Sequence, residues 1–150
     1  MLLNIKEIDQ ETIDLIQSML PPKALEFERI IGLEATWAMI TEFGGIEIRI
    51  PERSWVNTSF APIVEVIGEE NARRLMIEFK GSDGVYIPCC THLMQQIRNR
   101  RIIKEFDKLT KDVSGRAAVN TLARTYLLSN RQVENIVNNK YRPYVKQKKS

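Results

Sequence analysis

Two stretches of this chain repeat one another, and that repeat constrains the fold more than any other feature. Ile31-Gly32-Leu33-Glu34 leads to Glu42-Phe43-Gly44-Gly45 and then to Ile46-Glu47-Ile48-Arg49-Ile50-Pro51. Ile67-Gly68-Glu69-Glu70 leads in the same way to Glu78-Phe79-Lys80-Gly81 and then to Gly84-Val85-Tyr86-Ile87-Pro88. Gly32 aligns with Gly68, Glu34 with Glu70, Glu42 with Glu78, Phe43 with Phe79 and Pro51 with Pro88, with one extra residue in the second turn. Each copy, 31–51 and 67–88, predicts a helix of about ten residues, a glycine turn and a short strand. Proline has no N–H to donate to a sheet ladder, so each strand should close at its proline. In the first copy Ile46, Ile48 and Ile50 alternate with Glu47 and Arg49, the pattern of a strand with one buried face. A strand this short is not stable alone. It must pair with the other copy, with a strand of a second subunit, or with both, and an open edge made by Ile46, Ile48 and Ile50 is a natural dimerisation element.

The rest of the chain reads as helical. Asp9 is placed to cap a helix whose stripe is Ile13, Leu15, Ile16, Met19 and Leu20, and Pro21-Pro22 stops it. A second helix is expected from Lys23 to Ile31. A long helical pattern follows Pro88, with Leu93, Ile97, Ile102, Ile103, Phe106 and Leu109 as its apolar positions, and Arg98, Arg100, Arg101, Lys104, Lys108 and Lys111 as its charges. Val113-Ser114-Gly115 breaks it. A helix from Arg116 to Tyr126, a turn Leu127-Leu128-Ser129 and a last helix from Asn130 to about Lys140 complete the reading. With 150 residues, 43% of them hydrophobic and 27% charged, the chain has material for a packed core. The expected class is mainly α with short β-strands (α+β): an N-terminal helix and strand dimerisation domain over 1–88 and a basic C-terminal domain over 89–150.

Charge divides along the same line. Residues 1–89 hold 8 Lys and Arg against 15 Asp and Glu, a net −7, while residues 90–150 hold 14 against 4, a net +10. Clustered Lys and Arg gain affinity for nucleic acid by displacing its counterions, so the basic half is suited to phosphate and the acidic half to protein. A solvated basic face is the competing reading.

The stretch from Thr121 to Val137 has the spacing of a helix-turn-helix. Ala123 is small where two helices would cross, Leu128, Val133 and Ile136 would fill the core between them, and Ser129 is placed to cap the second helix. Asn130, Arg131, Glu134, Asn135 and Asn138 are then left outward near the helix start, the end that enters a major groove. Asn and Gln match adenine edges and Arg matches guanine, which makes Arg131, Gln132 and Asn135 suited to reading bases. Glycine is usual where Leu127 stands, because a left-handed backbone costs glycine least, so a reshaped turn is expected. A plain pair of core helices would show the same apolar spacing.

Taken together, Gly84-Val85-Tyr86-Ile87-Pro88, Ile97-Arg98 with Arg101-Ile102 and Phe106, Leu122-Ala123-Arg124-Thr125-Tyr126, and Val133 with Ile136 resemble the Mor/C family of phage Mu middle and late transcription activators. The resemblance spans roughly residues 63–144. It implies a homodimer with a shared N-terminal dimerisation domain, binding a promoter on double-stranded DNA and recruiting host RNA polymerase in a bacterial cytoplasm. By the same resemblance the segment from Asn130 to Asn139 is the recognition helix, and Val85, Tyr86 and Ile87 lie at the dimer interface. Ser129 and Lys140 at the ends of that helix, with Arg98, Arg101, Arg124 and Arg142, are further expected DNA-binding residues, and the Arg98, Arg100 and Arg101 cluster suits either phosphate contact or a solvated helix face. The chain departs from the family pattern in a segment from Lys108 to Gly115 that resembles an insertion, and in the second strand that the repeat supplies.

Other classes find little support. No glycine-rich phosphate loop follows a strand, and no serine or cysteine nucleophile has a spaced base, so no enzyme is expected. Glu69-Glu70 sits at a helix start, where the dipole accounts for it. Cys89-Cys90 is expected to be a reduced, half-buried pair on a helix, and with His92 as the single histidine no metal or other cofactor is expected. Trp37 and Trp55 are expected in the core or at an interface. No apolar run is long enough for a membrane span, and Met1-Leu2-Leu3-Asn4 does not open a signal peptide, so a cytoplasmic location is expected. The basic tail from Tyr141, with Arg142, Tyr144 and the following lysines, suits either a clamp on the DNA backbone or a solubilising end. The main rival to a DNA-binding regulator is a protein-interaction module, such as an antitoxin-like adaptor.

Overall fold

A computed structural model of the chain describes residues 8–139. They form eight helices and a two-stranded sheet: α1 Gln10–Met19, α2 Pro22–Ile31, α3 Leu33–Phe43, β1 Glu47–Ile48, α4 Ala61–Ile67, α5 Glu69–Phe79, β2 Val85–Tyr86, α6 Thr91–Leu109, α7 Gly115–Tyr126 and α8 Asn130–Asn138. The chain separates into two compact units, the first ending at Thr91 and the second beginning at His92.

In the first unit, α1 starts where Asp9 Oδ1 accepts the Thr12 N–H at 2.8 Å. It stops before the proline pair, and Pro22 opens α2, where its missing N–H costs nothing. The repeat is larger than its sequence match suggests. Each copy is a helix, a single glycine, an eleven-residue helix, a turn and a strand: α2, Gly32, α3, β1 and then α4, Gly68, α5, β2. Gly32 (φ 84, ψ 164) and Gly68 (φ 89, ψ 157) share a backbone region that is essentially closed to other residues. An added Cβ would meet nothing within 4 Å at either position, so the dihedral angles and not crowding call for glycine. Burial follows the repeat. Thr36 and Ala72, Met39 and Leu75, Ile40 and Met76, and Ile31 and Ile67 are buried in both copies. α2 packs on α3 and α4 on α5 within the copies, while α3 packs on α4 and α5 on α2 between them. Trp37, Phe27, Phe60 and Ile63 fill the middle.

The two strands pair with each other within the chain, antiparallel, with Glu47 opposite Tyr86 and Ile48 opposite Val85. Each regular strand is two residues long, shorter than expected, because both runs leave the ladder before their prolines. The backbone still bonds beyond it, from Ile87 N–H to the Ile46 carbonyl at 2.9 Å and from Ile50 N–H to the Ser82 carbonyl at 3.0 Å. Ile48 and Ile50 point inward as the alternation predicts, but Ile46 does not: it is 46% exposed, at the mouth of the glycine turn rather than on the covered face. Gly44 lies so close to the returning chain that a Cβ there would stand 2.8 Å from the Pro88 carbonyl oxygen and 2.6 Å from that of Ile40.

Cys89 and Cys90 precede α6 instead of lying on it, and helix begins only at Thr91. Both are free thiols, Cys89 exposed and Cys90 buried, and burial followed by the neighbouring Cys89 pushes the Cys90 thiol up. In the second unit α6, α7 and α8 enclose a separate small core. Ile102, Val119, Leu122, Ala123 and Val133 are buried there, with Phe106, Leu109, Tyr126, Leu128, Ile136 and Val137 packed around them. Among the described residues no helix is long and apolar enough to cross a membrane, and no cluster of His, Cys, Asp and Glu could hold a metal ion.

Candidate nucleic-acid interface

The second unit is built to hold one short helix by its apolar side. α7 starts where Ser114 Oγ accepts the Ala117 N–H at 3.1 Å. Ala118, Val119, Leu122 and Ala123, one face at helical spacing, are all buried. The helix ends on Leu127, which itself takes the left-handed conformation (φ 55, ψ 45) that glycine would supply, and so the turn is not reshaped. Its N–H and that of Leu128 both reach back to the Ala123 carbonyl, and its side chain is left 91% exposed.

Two residues later a reciprocal cap starts α8. Ser129 Oγ accepts the Gln132 N–H at 3.1 Å, and Gln132 Oε1 accepts the Ser129 N–H at 2.9 Å. This satisfies two amide donors that a helix start leaves open, and it fixes where the first turn points. Val133 is the one fully buried residue of α8, with Ile136 and Val137 at its margin. Asn130, Arg131, Glu134, Asn135 and Asn138 are all exposed, so one polar surface runs along the helix opposite Val133.

Two side chains in this surface have work inside the unit that the sequence did not signal. Gln132, read as a base contact, spends its carbonyl oxygen on the cap and keeps only its amide N–H groups for an outside partner. Asn130 donates from Nδ2 to Asn120 Oδ1 on α7 at 2.6 Å, tying the start of α8 to the preceding helix. Asn120 was missed because no periodic pattern links it to Asn130. Only the turn between α7 and α8 brings the two together.

The basic residues of α6 are distributed unevenly. Arg98 is half-buried and donates from Nε and a terminal nitrogen to Asn99 Oδ1, at 3.2 and 3.1 Å. Arg101 is half-buried and acts electrostatically on Tyr126. Arg100, expected on the charged face, is only 7% exposed. It lies one turn on from the buried Ile97, on the same side of the helix. Tyr126 OH donates to Glu105 Oε1 at 2.9 Å. Burial, then that hydrogen bond and the Glu105 charge, push the Tyr126 phenol up to about 12, with Arg101 acting the other way. The O–H that makes this bond therefore stays on until about 12 in the folded chain, and the stability it contributes is present in full below about 10 and is lost as pH rises towards 12. Arg124 is exposed on α7. Lys140 and Arg142, with Tyr141, Tyr144 and the rest of the basic tail, lie outside the described residues.

Of the strand residues, Ile48, Ile50, Val85 and Ile87 are buried within the first unit, and Ile46 and Tyr86 are exposed. Trp37 is buried in that unit, and Trp55 lies partly covered with the Arg73 guanidinium 5.4 Å from its ring centre. Glu69 and Glu70 occupy the first turn of α5 as expected, paired with Arg73 and Arg74 one turn on.

A model of the Mor transcription activator family matches residues 59–150. The chain belongs to that family. The match takes in the second copy of the repeat and everything after it, and leaves the first copy outside. No curated protein and no solved structure matches the chain. Mor-family membership carries a transcription-activator role, regulatory rather than enzymatic.

Proposed function

We propose that this Mor-family protein is a sequence-specific DNA-binding activator of phage or prophage genes that reads a promoter in the major groove with α8 and recruits host RNA polymerase. The observation that carries this reading is the exposed polar face of α8, on a helix anchored by Val133 and started by a reciprocal cap. Arg131 and Asn135 lie on that face one helical turn apart, a spacing that lets both reach base edges. Asn138 continues the row, Glu134 stands beside it to select against unsuitable bases, and Asn130 and the remaining Gln132 amide suit the groove edge. Ser129, Arg98, Arg101 and Arg124, with Lys140 and Arg142 beyond the described residues, are assigned to the phosphates. The basic charge after residue 89 supports contact with nucleic acid, and the acidic charge before it supports contact with protein. The implied site is cytoplasmic, in a bacterial host. The homodimer that the resemblance implies would not use the edge of β2 that is already paired with β1.

Selection from a pool of random duplexes at near-physiological salt tests this reading. Enrichment of one sequence, competed by itself and not by scrambled duplex, is the expected outcome. A pool that leaves the column unchanged in sequence would remove it and leave a protein-binding module.

A further inference from the structure

The first unit has an internal two-fold relation that reaches down to single residues. Counted back from Pro51 and Pro88, Ile48 is the counterpart of Val85, and these two stand opposite each other in the sheet. An antiparallel pair built on a two-fold axis requires this: one residue faces its own counterpart, and the bonds around it are reciprocal. One exchange is matched: Ile87 N–H donates to the Ile46 carbonyl and its counterpart Ile50 N–H to the Ser82 carbonyl, whereas the bond from Gly45 N–H to the Ile87 carbonyl is not mirrored by Gly81. Ile46 and Ser82 are themselves counterparts, each following the second residue of its turn, Gly45 and Gly81. The extra residue of the second copy falls between Ser82 and Val85, so Ser82 stands three residues before Val85 where Ile46 stands two before Ile48, and the exchange holds residue for residue only from Val85 onward. The helices obey the same exchange, since swapping the copies turns the α3 contact with α4 into the α5 contact with α2.

This is the geometry of an isologous interface between two identical subunits, held here in one chain. A single copy cannot stand by itself, because its strand is too short and the apolar faces of its two helices are covered by the other copy. The region matched by the family contains only the second copy.

We propose that the first copy, residues 22–51, takes the place of a second subunit and closes the strand-pairing interface within one chain, so that the protein is a monomer with a single reading helix. The statement about the reading helix rests on the DNA-binding function proposed above. The monomer does not, and the two are tested separately.

Sedimentation equilibrium of the full chain without DNA should return 17.4 kDa across the micromolar range. A mass rising towards twice that value would overturn the proposal, whichever surface carried the contact. The double variant Glu47→Cys/Tyr86→Cys, made with Cys89→Ser to remove the exposed thiol, places one cysteine on each strand at an exposed opposed pair. Oxidation should join them within a chain that still migrates as a monomer. A disulfide-linked dimer would show pairing between chains and count against it. On selected DNA the enriched site should be one unrepeated element occupied at one chain per duplex, and an inverted repeat holding two chains would overturn the inference. Failure to enrich any sequence would remove the DNA-binding function and leave the mass measurement to decide the monomer.

Discussion

The two units use short helices in opposite ways. In the first, two copies of one folding unit cover each other: each strand finds a partner, equivalent positions are buried in both, and the charge on the surface is acidic. In the second, α8 has no counterpart. It is anchored at Val133, with Ile136 and Val137 at the margin of the core, and turns its polar face outward on a unit whose charge is basic. Duplication spends apolar surface on self-closure, whereas a single anchored helix keeps a polar face available. The difference teaches where binding chemistry can reside, because a face buried against its own repeat has nothing left to offer a ligand.

The comparison breaks most visibly at matched core positions. Met39→Ala and Leu75→Ala, counterparts in the two copies and both fully buried, should each lower stability by about 2–5 kcal/mol in chemical denaturation followed by circular dichroism. Similar costs at the two sites support a symmetric core, while a loss at one alone would show that only one copy carries the fold. Next in size is the open face of the second unit. Arg131→Ala and Asn135→Ala should each reduce preference for the selected sequence over random duplex by about 1–3 kcal/mol, read in competition titrations, with stability unchanged. Equal weakening on both duplexes would move the residue from base reading to phosphate contact. Ser129→Ala removes one half of the cap and should cost about 1 kcal/mol of stability in the second unit. A change confined to DNA affinity would show that the hydroxyl serves the ligand rather than the helix. The smallest effect runs the other way. Leu127→Gly should relieve the left-handed backbone and raise stability by roughly 0.5 kcal/mol, net of glycine's greater freedom when unfolded, and a drop would mean that the strain is absent.

Much of this was readable from local chemistry. Asp9 and Ser129 are caps because of short-range hydrogen bonds, and the inward face of α7 follows from helical spacing alone. The glycines at 32 and 68 and the paired prolines marked the repeat. The errors fell where the deciding partner is distant in sequence. Ile46 alternates as a buried residue should, yet the backbone has already turned away there. Arg100 carries a charge into a covered position, and a lone helix gives no sign of which side will be covered. Leu127 shows that a residue with a Cβ can hold a left-handed turn when helices on both sides determine the chain's path.

For the candidate interface, the sequence by itself determined which residues face outward on α8, because helix period and one buried anchor settle orientation. It also determined the split of charge and the existence of two equivalent folding units. Only the tertiary structure decided that β1 and β2 pair within one chain, that Asn120 holds Asn130, and that Gln132 serves the cap as well as the surface. The physical reason is the range of the interactions: periodicity and capping act within a few residues, whereas strand partners and cross-helix bonds depend on where the chain returns.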